Sequence, residues 1–239
     1  FVTVDEAHCI SWWGHDFRLD YLRLAQVRKS LGRPACLALT ATATQVVKED
    51  IITYLELDRP AVYQFSIDRK NIAIHVERVI SEKEKKERIW QLVSQRRDAG
   101  MIYFSSRKKA EEFAQYLLER GVERVAYYHG GMSADERQLI QQQFSAGKLR
   151  IICATNAFGM GINKQDIRYV LHYHFPQHLE GYVQEMGRCS RDGGPGLSMV
   201  FYQPGDEQIH YHLIEQELPR RNKLEELFAF LAAKEREGK

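Results

Sequence analysis

Two carboxylates stand side by side directly after the apolar run Phe1–Val4, in the segment Asp5-Glu6-Ala7-His8. The short run predicts a buried strand, and open parallel sheets bind ligands beyond the carboxyl ends of their strands. An aspartate there can hold Mg²⁺, normally through water, while the adjacent glutamate can orient or deprotonate an attacking water. A solvated acidic turn would explain the four residues as well. The choice between these two interpretations depends on the other segments of the chain.

Hydroxyl groups follow the next predicted strand, where Thr40 and Thr42 come directly after residues 35–39. Because parallel strands end at the same edge of a sheet, we expect these threonines to lie beside the carboxylates. A side-chain turn followed by a helix cap is the alternative interpretation.

Glycines follow a third apolar run. Gly159 and Gly161, together with Asn163, come after the predicted strand 149–153. Glycine has no side chain, so the backbone at these positions can approach a phosphate or a ribose closely.

Two arginines complete the set of residues that could act on a phosphate. Arg188 and Arg191 are three residues apart, and this spacing predicts that both share one helical face with Gln184. The guanidinium group is always charged and binds phosphate through two hydrogen bonds at once.

Alternating strands and helices have to position these residues. Short apolar runs alternate with helical patterns along the chain, which is typical of an α/β fold with a parallel sheet. The predicted strands are 1–4, 35–39, 61–65, 72–79, 101–104, 124–127, 149–153, 168–173 and 197–202. Ser81 and Ser133 each begin a capping box, Gly121 ends a helix, and the charged run 83–88 predicts a solvated helix face.

The strands fall into two series separated by the polar stretch 66–71. We expect the second half of a first domain over 1–66, a complete second domain over 67–210, and a helical tail over 211–239. The chain opens inside an apparent core strand without a methionine, which favours a piece of a larger protein.

Composition excludes several classes of protein. An apolar content of 44% argues against disorder, and a formal net charge of +2 means that any polyanion site must be local. Single, scattered cysteines argue against a zinc knot or a disulfide scaffold, and favour a reducing, intracellular compartment. No apolar run is long enough for a membrane span, and no signal peptide opens the chain.

In their order along the chain, the segments 5–8, 40–44, 154–163 and 184–191 resemble motifs II to VI of superfamily 2 helicases. The aromatic-rich segment 7–18, the junction 66–72 and the segment 128–132 resemble those of RecQ DNA helicases. On these motifs the chain is identified as a member of the RecQ family, over nearly its whole length.

This resemblance implies RecA-like helicase domains, a partial first one and a complete second one, that use ATP and Mg²⁺ to translocate 3′ to 5′ on single-stranded DNA. Asp5 would bind Mg²⁺, Glu6 would activate water, and Gln184 would position the nucleotide or water. Arg188 and Arg191 would stabilise the γ-phosphoryl charge. The residues expected to bind DNA or to couple DNA to ATP are His8, Trp12, Trp13, His15, Phe17, Arg18, Thr40, Thr42, Ser105, Ser106, Arg107 and Thr155.

The aromatic loop also has a physical rationale of its own. Trp12, Trp13 and Phe17 can stack on bases of any sequence, while His15 and Arg18 supply polar and phosphate contacts. Packing of the tryptophans into the core is the alternative, but two adjacent residues of a strand point to opposite faces.

Three departures from the family pattern affect the expected activity. The sequence contains no GxxxxGK[ST] phosphate loop, and residues 211–239 contain no cysteine, so no zinc subdomain is expected. Ser190 stands where the family usually has glycine, and a helical segment would tolerate serine there. We therefore expect an ATPase in the parent protein and an inactive isolated chain.

Two alternatives remain at this stage, a non-catalytic binding module and an RNA helicase of the same superfamily. The expected partners are single-stranded DNA and duplex junctions, with no membrane, and the chain is expected to be a monomer. The expected location is the cytoplasmic nucleoid in a bacterium or the nucleus in a eukaryote, in DNA repair and recombination.

Overall fold

The computed structural model describes residues 1–11, 17–65, 68–159, 162, 164–176, 179–206 and 208. Its strands are β1 (Val2–Val4), β2 (Cys36–Ala38), β3 (Ile72–Arg78), β4 (Ala99–Tyr103), β5 (Val125–Tyr128), β6 (Ile151–Ala154), β7 (Ile167–His172) and β8 (Gly196–Tyr202). Its α-helices are α1 (Leu24–Ser30), α2 (Gln45–Tyr54), α3 (Glu82–Ser94), α4 (Arg107–Glu119), α5 (Ala134–Ser145) and α6 (Leu179–Met186). Two 3₁₀ helices span Ala7–Ile10 and Leu19–Arg23.

In the first part of the chain, β1 and β2 pair in parallel. The pairing continues past the strands, because the Leu39 N–H donates to the Val4 carbonyl and the Ala7 N–H donates to the Leu39 carbonyl, both at 2.8 Å. Apolar side chains of β1, of the first 3₁₀ helix and of α2 form a small core. The segments after the two strands are therefore held side by side.

The second part is a six-stranded parallel sheet in the order β3-β8-β7-β4-β6-β5. Alternate residues of β4 enter different cores, with Ile102 on one face of the sheet and Met101 and Tyr103 on the other. A parallel sheet covered on both faces explains why β4, β6 and β7 are nearly continuous apolar runs. The predicted α/β class with a parallel sheet is confirmed.

Helix boundaries follow the sequence signals closely. Ser133 and Glu136 form the complete capping box of α5. At α3 the Ser81 hydroxyl accepts the N–H of Glu84, whereas the Glu84 carboxylate accepts from Ile80 in place of Ser81. Gly121 follows α4 with φ of 78°, a conformation that costs glycine little.

The predicted strand 61–65 is wrong. These residues are exposed and form no ladder in the described part of the chain. The run 61–65 is apolar except for Gln64, which fits a strand, but a strand also needs a neighbour to satisfy its backbone groups.

The predicted helix through Gln184, Arg188 and Arg191 is also wrong beyond its first half. The helix α6 ends at Met186, and the chain then turns, with Ser190 in the left-handed region at φ of 45°. The two arginines therefore extend from a turn and not from one helical face.

The charged run 83–88 is not a uniformly solvated face. Lys85 is only 1% exposed, and its ammonium donates to Asp206 at 2.7 Å and to the Tyr173 carbonyl at 2.9 Å. One lysine of the run thus fastens α3 to the loop that follows β8. The predicted tail over 211–239 lies outside the described residues.

Candidate active site

The two carboxylates lie at the carboxyl end of β1, as the strand-end rule predicts. Asp5 is exposed, and its Oδ1 accepts the N–H of Glu6 at 2.9 Å. Glu6 has φ of 48° and ψ of 43°, a left-handed conformation that costs a side-chain-bearing residue roughly 1–2 kcal/mol. This sharp bend between β1 and the 3₁₀ helix places both carboxylates at the edge of the sheet.

A hydrogen-bonded bridge joins this acidic segment to the threonines after β2. His8 is 2% exposed, and its Nδ1 lies 2.9 Å from Thr40 Oγ1 and 3.4 Å from Glu6 Oε2. The single hydroxyl hydrogen of Thr40 is directed at the Thr42 carbonyl, 2.9 Å away. Thr40 Oγ1 must therefore accept from His8, which assigns the Nδ1–H tautomer of the imidazole.

The threonine segment combines the turn interpretation with this further contact. The Thr42 N–H donates to Thr40 Oγ1 at 3.2 Å, and Thr44 caps α2 by accepting from Val47. Thr42 Oγ1 is buried and has no hydrogen-bond partner within the described residues. A buried hydroxyl without a partner is costly, so this atom is available to a ligand or to a neighbouring segment.

Arg188 and Arg191 are held by backbone carbonyls. Arg188 is 8% exposed and donates to the Gly159 carbonyl, and Arg191 donates to the Ile162 carbonyl at 3.0 Å. Burial lowers the pKa of Arg191, and the positive charges of Arg188 and Arg69 lower that pKa further. No carboxylate forms an ion pair with either guanidinium in the described part of the chain, so their charge remains available to an anion.

The structure shows a further reason for glycine at position 159. A Cβ at this position would lie 2.6 Å from Arg188 Cζ, so the missing side chain makes room for the guanidinium. Gly161 and Asn163, the other residues of the predicted nucleotide-binding set, lie outside the described residues.

A buried polar layer supports this arrangement from below, and sequence reasoning missed it. The Tyr103 hydroxyl donates to the Phe158 carbonyl at 3.0 Å, and its ring stacks on His172 at 5.5 Å between centroids. His172 Nε2 lies 2.8 Å from Glu185 Oε2. Gln184, predicted to position the nucleotide, is half-buried next to Glu185 in the last turn of α6.

A second group of predicted residues lies at the carboxyl ends of β4 and β6. Ser106 is the N-cap of α4 but makes no side-chain capping bond. Arg107 begins α4, and its guanidinium lies against Gly131, where a Cβ would be 3.0 Å from Nη1. Thr155 follows β6 directly and donates its N–H to the Tyr128 carbonyl at 3.2 Å.

Ser105 precedes this group and is exposed. Its N–H donates to His174 Nδ1 at 3.2 Å, and burial lowers the pKa of His174 to about 4, so the ring is a neutral acceptor at pH 7. Gly130 and Gly131, from the segment 128–132, lie beside Arg107 at the same edge of the sheet.

Part of the aromatic loop can be placed. Phe17 is half-buried and Arg18 is exposed, and the Arg18 N–H donates to the Cys9 carbonyl at 2.8 Å. The end of the loop is thus tied to the 3₁₀ helix that contains His8. Trp12, Trp13 and His15 lie outside the described residues.

The described residues contain no group of three or more histidine, cysteine, aspartate or glutamate side chains that could hold a metal ion. They also contain no helix that is long and apolar enough to cross a membrane.

Solved structures similar to this chain share its fold. Dbp5 of Saccharomyces cerevisiae bound to RNA and ADP BeF3 matches with a TM-score of 0.71 at 18% identity, over 90% of this chain and 56% of that one. A DEAD box protein from Methanococcus jannaschii matches with a TM-score of 0.55 at 24% identity. The sheets are therefore those of RecA-like helicase domains.

Sequence comparison is more specific. Residues 84–193 match the helicase conserved C-terminal domain. The chain is 47% identical over 215 residues to the probable ATP-dependent DNA helicase RecS of Bacillus subtilis, covering 90% of this chain and 43% of that protein. It is 40% identical to the ATP-dependent DNA helicase RecQ of Pasteurella multocida, over 92% of this chain and 35% of that protein.

A eukaryotic relative, the ATP-dependent helicase SGS1 of Saccharomyces cerevisiae, is 38% identical over 93% of this chain and 15% of its own length. The chain thus spans less than half the length of these relatives. The order of the motifs, the RecA-like sheets and these similarities lead to one conclusion: the chain belongs to the RecQ family of superfamily 2 helicases.

Proposed function

We propose that this chain is part of an ATP-dependent DNA helicase that translocates 3′ to 5′ on single-stranded DNA and unwinds duplexes at junctions. The observation that carries the proposal is the pair Arg188 and Arg191, whose guanidinium groups donate to backbone carbonyls and pair with no carboxylate among the described residues. Arg188 is buried at 8% exposure, and Arg191 beside it is exposed. A buried cation without a carboxylate is unfavourable unless an anion completes the site. A nucleoside triphosphate supplies that charge.

The carboxylates after β1 suit Mg²⁺ bound with ATP. Asp5 is exposed and offers carboxylate oxygens, the ligands that Mg²⁺ prefers, and Glu6 beside it would orient the attacking water. When bound, Mg²⁺ neutralises charge that develops on the phosphates. No zinc is expected to be needed by this chain.

The arginines would act on the same phosphates. Arg188 and Arg191 would stabilise the charge on the transferred γ-phosphoryl group, and Gln184 would orient the nucleotide or water. A planar guanidinium held in place by carbonyls is already oriented before the reaction, which is what such stabilisation requires.

One short loop would connect DNA to this chemistry. Thr155, at its start, lies with Ser105, Ser106 and Arg107 on the proposed DNA edge. Carbonyls at Gly159 and residue 162, farther along the same loop, accept from the two arginines. DNA that shifts the start of the loop would therefore move the acceptors that orient the guanidinium groups.

The bridge from His8 to Thr40 would serve the first domain in the same way. His8 contacts both Glu6 and Thr40, so a change in the position of the Glu6 carboxylate would be transmitted through His8 to the threonine segment. We propose that Thr40, Thr42 and the aromatic loop, with Phe17 and Arg18, bind DNA on this side.

The division into domains 1–66 and 67–210 with a tail over 211–239, and the monomeric state, remain proposals. An RNA helicase is not favoured, because the relatives at 47% and 40% identity are named DNA helicases. Relatives of the chain come from bacteria and from a yeast, so the compartment remains a prediction.

The test uses the full-length protein that contains this sequence. We expect its ATPase to be stimulated by single-stranded DNA far more than by RNA of the same length, and Glu6→Gln to bind ATP and DNA without turnover. On DNA with a streptavidin block at one end, displacement should occur at the 5′ end. Equal stimulation by RNA, or displacement at the 3′ end only, would contradict the proposal.

A further inference from the structure

We infer that Arg69 and Asn71, at the junction before β3, are positioning residues for the two arginines. The inference rests on the proposed function, since it assumes that Arg188 and Arg191 act on ATP. The turn that carries them, residues 187–194, is called the arginine turn below.

Arg69 reaches several carbonyls of the arginine turn at once. Its Nη2 donates to the carbonyls of Ser190 at 2.8 Å and Cys189 at 3.1 Å, and its Nη1 donates to that of Gly187 at 3.3 Å. A planar group with several donors can span carbonyls on both sides of Arg188, whereas an ammonium is a single point of charge.

Asn71 holds the far end of the same turn. Its Nδ2 donates to the carbonyls of Ser190 at 3.1 Å and Gly194 at 2.8 Å, and its Oδ1 accepts from Arg69 Nε at 3.4 Å. The Asn71 carbonyl also accepts the Gly196 N–H at 2.8 Å. Arg69 and Asn71 are thus linked to each other and contact the arginine turn along most of its length.

The charge of Arg69 indicates a role beyond hydrogen bonding to the arginine turn. Its charge lowers the pKa of Arg191, so these like charges lie within reach of each other. Like charges placed together are unfavourable, and neutral donors could satisfy the same carbonyls. A third positive charge beside Arg188 and Arg191 is explained if it also attracts the anion that these two residues bind.

Arg69 and Asn71 lie in the junction between the two parts of the chain, so their hydrogen bonds connect this junction to the arginine turn. The segment 68–71 leads from the first part of the chain into β3, and the Ile72 N–H donates to the Arg69 carbonyl at 2.9 Å. A displacement of the junction would therefore be transmitted to the arginine turn. The junction would set the orientation of Arg188 and Arg191 without touching ATP.

The experiment compares Arg69→Ala, Arg69→Lys and Asn71→Ala in the full-length protein, with the exposed neighbour Lys70→Ala as the matched control. We expect Arg69→Ala to lower kcat at saturating single-stranded DNA by about tenfold or more, with KM for ATP within about threefold. Lysine should restore little of the lost activity, because its ammonium does not reproduce the fork. Lys70→Ala should match the wild type.

A readout of transition-state binding separates positioning from a merely structural role. Affinity for ADP with aluminium fluoride should fall in Arg69→Ala more than affinity for ATP does. If Arg69→Ala fails to fold, Asn71→Ala carries the test by the same two measurements. Full turnover in Asn71→Ala and Arg69→Lys, or equal losses of both affinities, would overturn the inference.

Arg188→Ala and Arg191→Ala distinguish this failure from that of the proposed function. If those variants keep normal turnover, the role of the arginines is wrong and the inference fails with it. If they lose turnover while Arg69→Ala and Asn71→Ala keep it, only the positioning role is wrong.

Discussion

Substitutions of Ser190 distinguish two conformations of the segment between the arginines. A helix through this segment makes alanine more stable than glycine by about 1 kcal/mol. The structure instead places Ser190 in the left-handed region at φ of 45°, where glycine is the preferred residue. The stability of Ser190→Ala relative to Ser190→Gly should therefore have opposite signs in the two cases.

The magnitude follows from what the buried side chain contacts. Ser190 Oγ lies 3.0 Å from the Pro195 carbonyl and 3.3 Å from the Ile167 carbonyl, and it accepts from Arg168 at 3.2 Å. The hydroxyl has a single hydrogen, so it donates to one of the two carbonyls and accepts from Arg168. Both substitutions remove these two hydrogen bonds, at roughly 1 kcal/mol for each. Glycine recovers about 1 kcal/mol by relieving the left-handed strain, and alanine does not.

We expect Ser190→Gly to lower the free energy of unfolding of the 239-residue chain by about 1 kcal/mol and Ser190→Ala by about 2 kcal/mol. Urea unfolding, followed by circular dichroism, measures both values. Gln142, exposed in α5, is the matched helical control, and there alanine should be the more stable substitution. Alanine more stable than glycine at 190 would refute the left-handed assignment.

The same pair tests whether serine impairs the site. The backbone already adopts the conformation that glycine favours, so the arginines are in place with serine present. In the full-length protein, Ser190→Gly should leave kcat within a few-fold. A large gain in ATPase would show that serine weakens the motif.

Four further results are expected. The isolated chain should hydrolyse ATP negligibly even with DNA, because it lacks a phosphate loop; DNA-stimulated turnover at a helicase rate would contradict this. In the full-length protein, Arg188→Ala or Arg191→Ala should lower kcat on the order of 10³-fold, with little recovery by lysine; normal turnover of either lysine variant is the opposing result. Phe17→Ala should lower DNA-stimulated ATPase far more than basal ATPase, whereas equal losses with a lower Tm indicate core packing. The Arg168 guanidinium lowers the pKa of Asp192 to about 2, so its stabilisation is present above the unfolded pKa and is lost as the pH falls toward 2; acid titrations of Asp192→Asn and wild type that coincide would exclude it.

The sheet was predictable because its central strands are buried on both faces. Runs such as 149–153 and 168–173 are mostly apolar, and their polar residues are Arg150, Arg168 and His172. The segment 61–65 has an equally good pattern but no partner strand in the described part of the chain. The pattern of apolar residues shows which side chains a segment could bury. It does not show whether a partner strand lies beside that segment.

Charge patterns were less informative for a similar reason. The run 83–88 has the composition of a solvated helix face, yet Lys85 is buried against Asp206. The partner is 121 residues away. A buried ion pair requires both charged side chains to lie in contact, and only the tertiary fold determines which distant residues do so.

Some of the contacts in the candidate site could be predicted from the sequence. Asp5 and Thr40 were expected near each other because strand ends share an edge, and the His8 bridge between their segments follows that rule. The spacing of Arg188 and Arg191 predicted a phosphate-binding pair on one helical face, and the structure places the two residues on a turn after the helix.

What orients the two arginines is the backbone itself. Carbonyls of the loop after β6 accept from Arg188 and Arg191, and carbonyls of the arginine turn accept from Arg69 and Asn71. Every residue has a carbonyl, so a pattern of side chains does not distinguish these acceptors from others. The same fact makes the arrangement sensitive to movement, because a carbonyl turns whenever its segment does. Under the proposed function, the loop after β6 would contact DNA and the junction 68–71 would join two domains, so movements of both segments would change the orientation of the arginines.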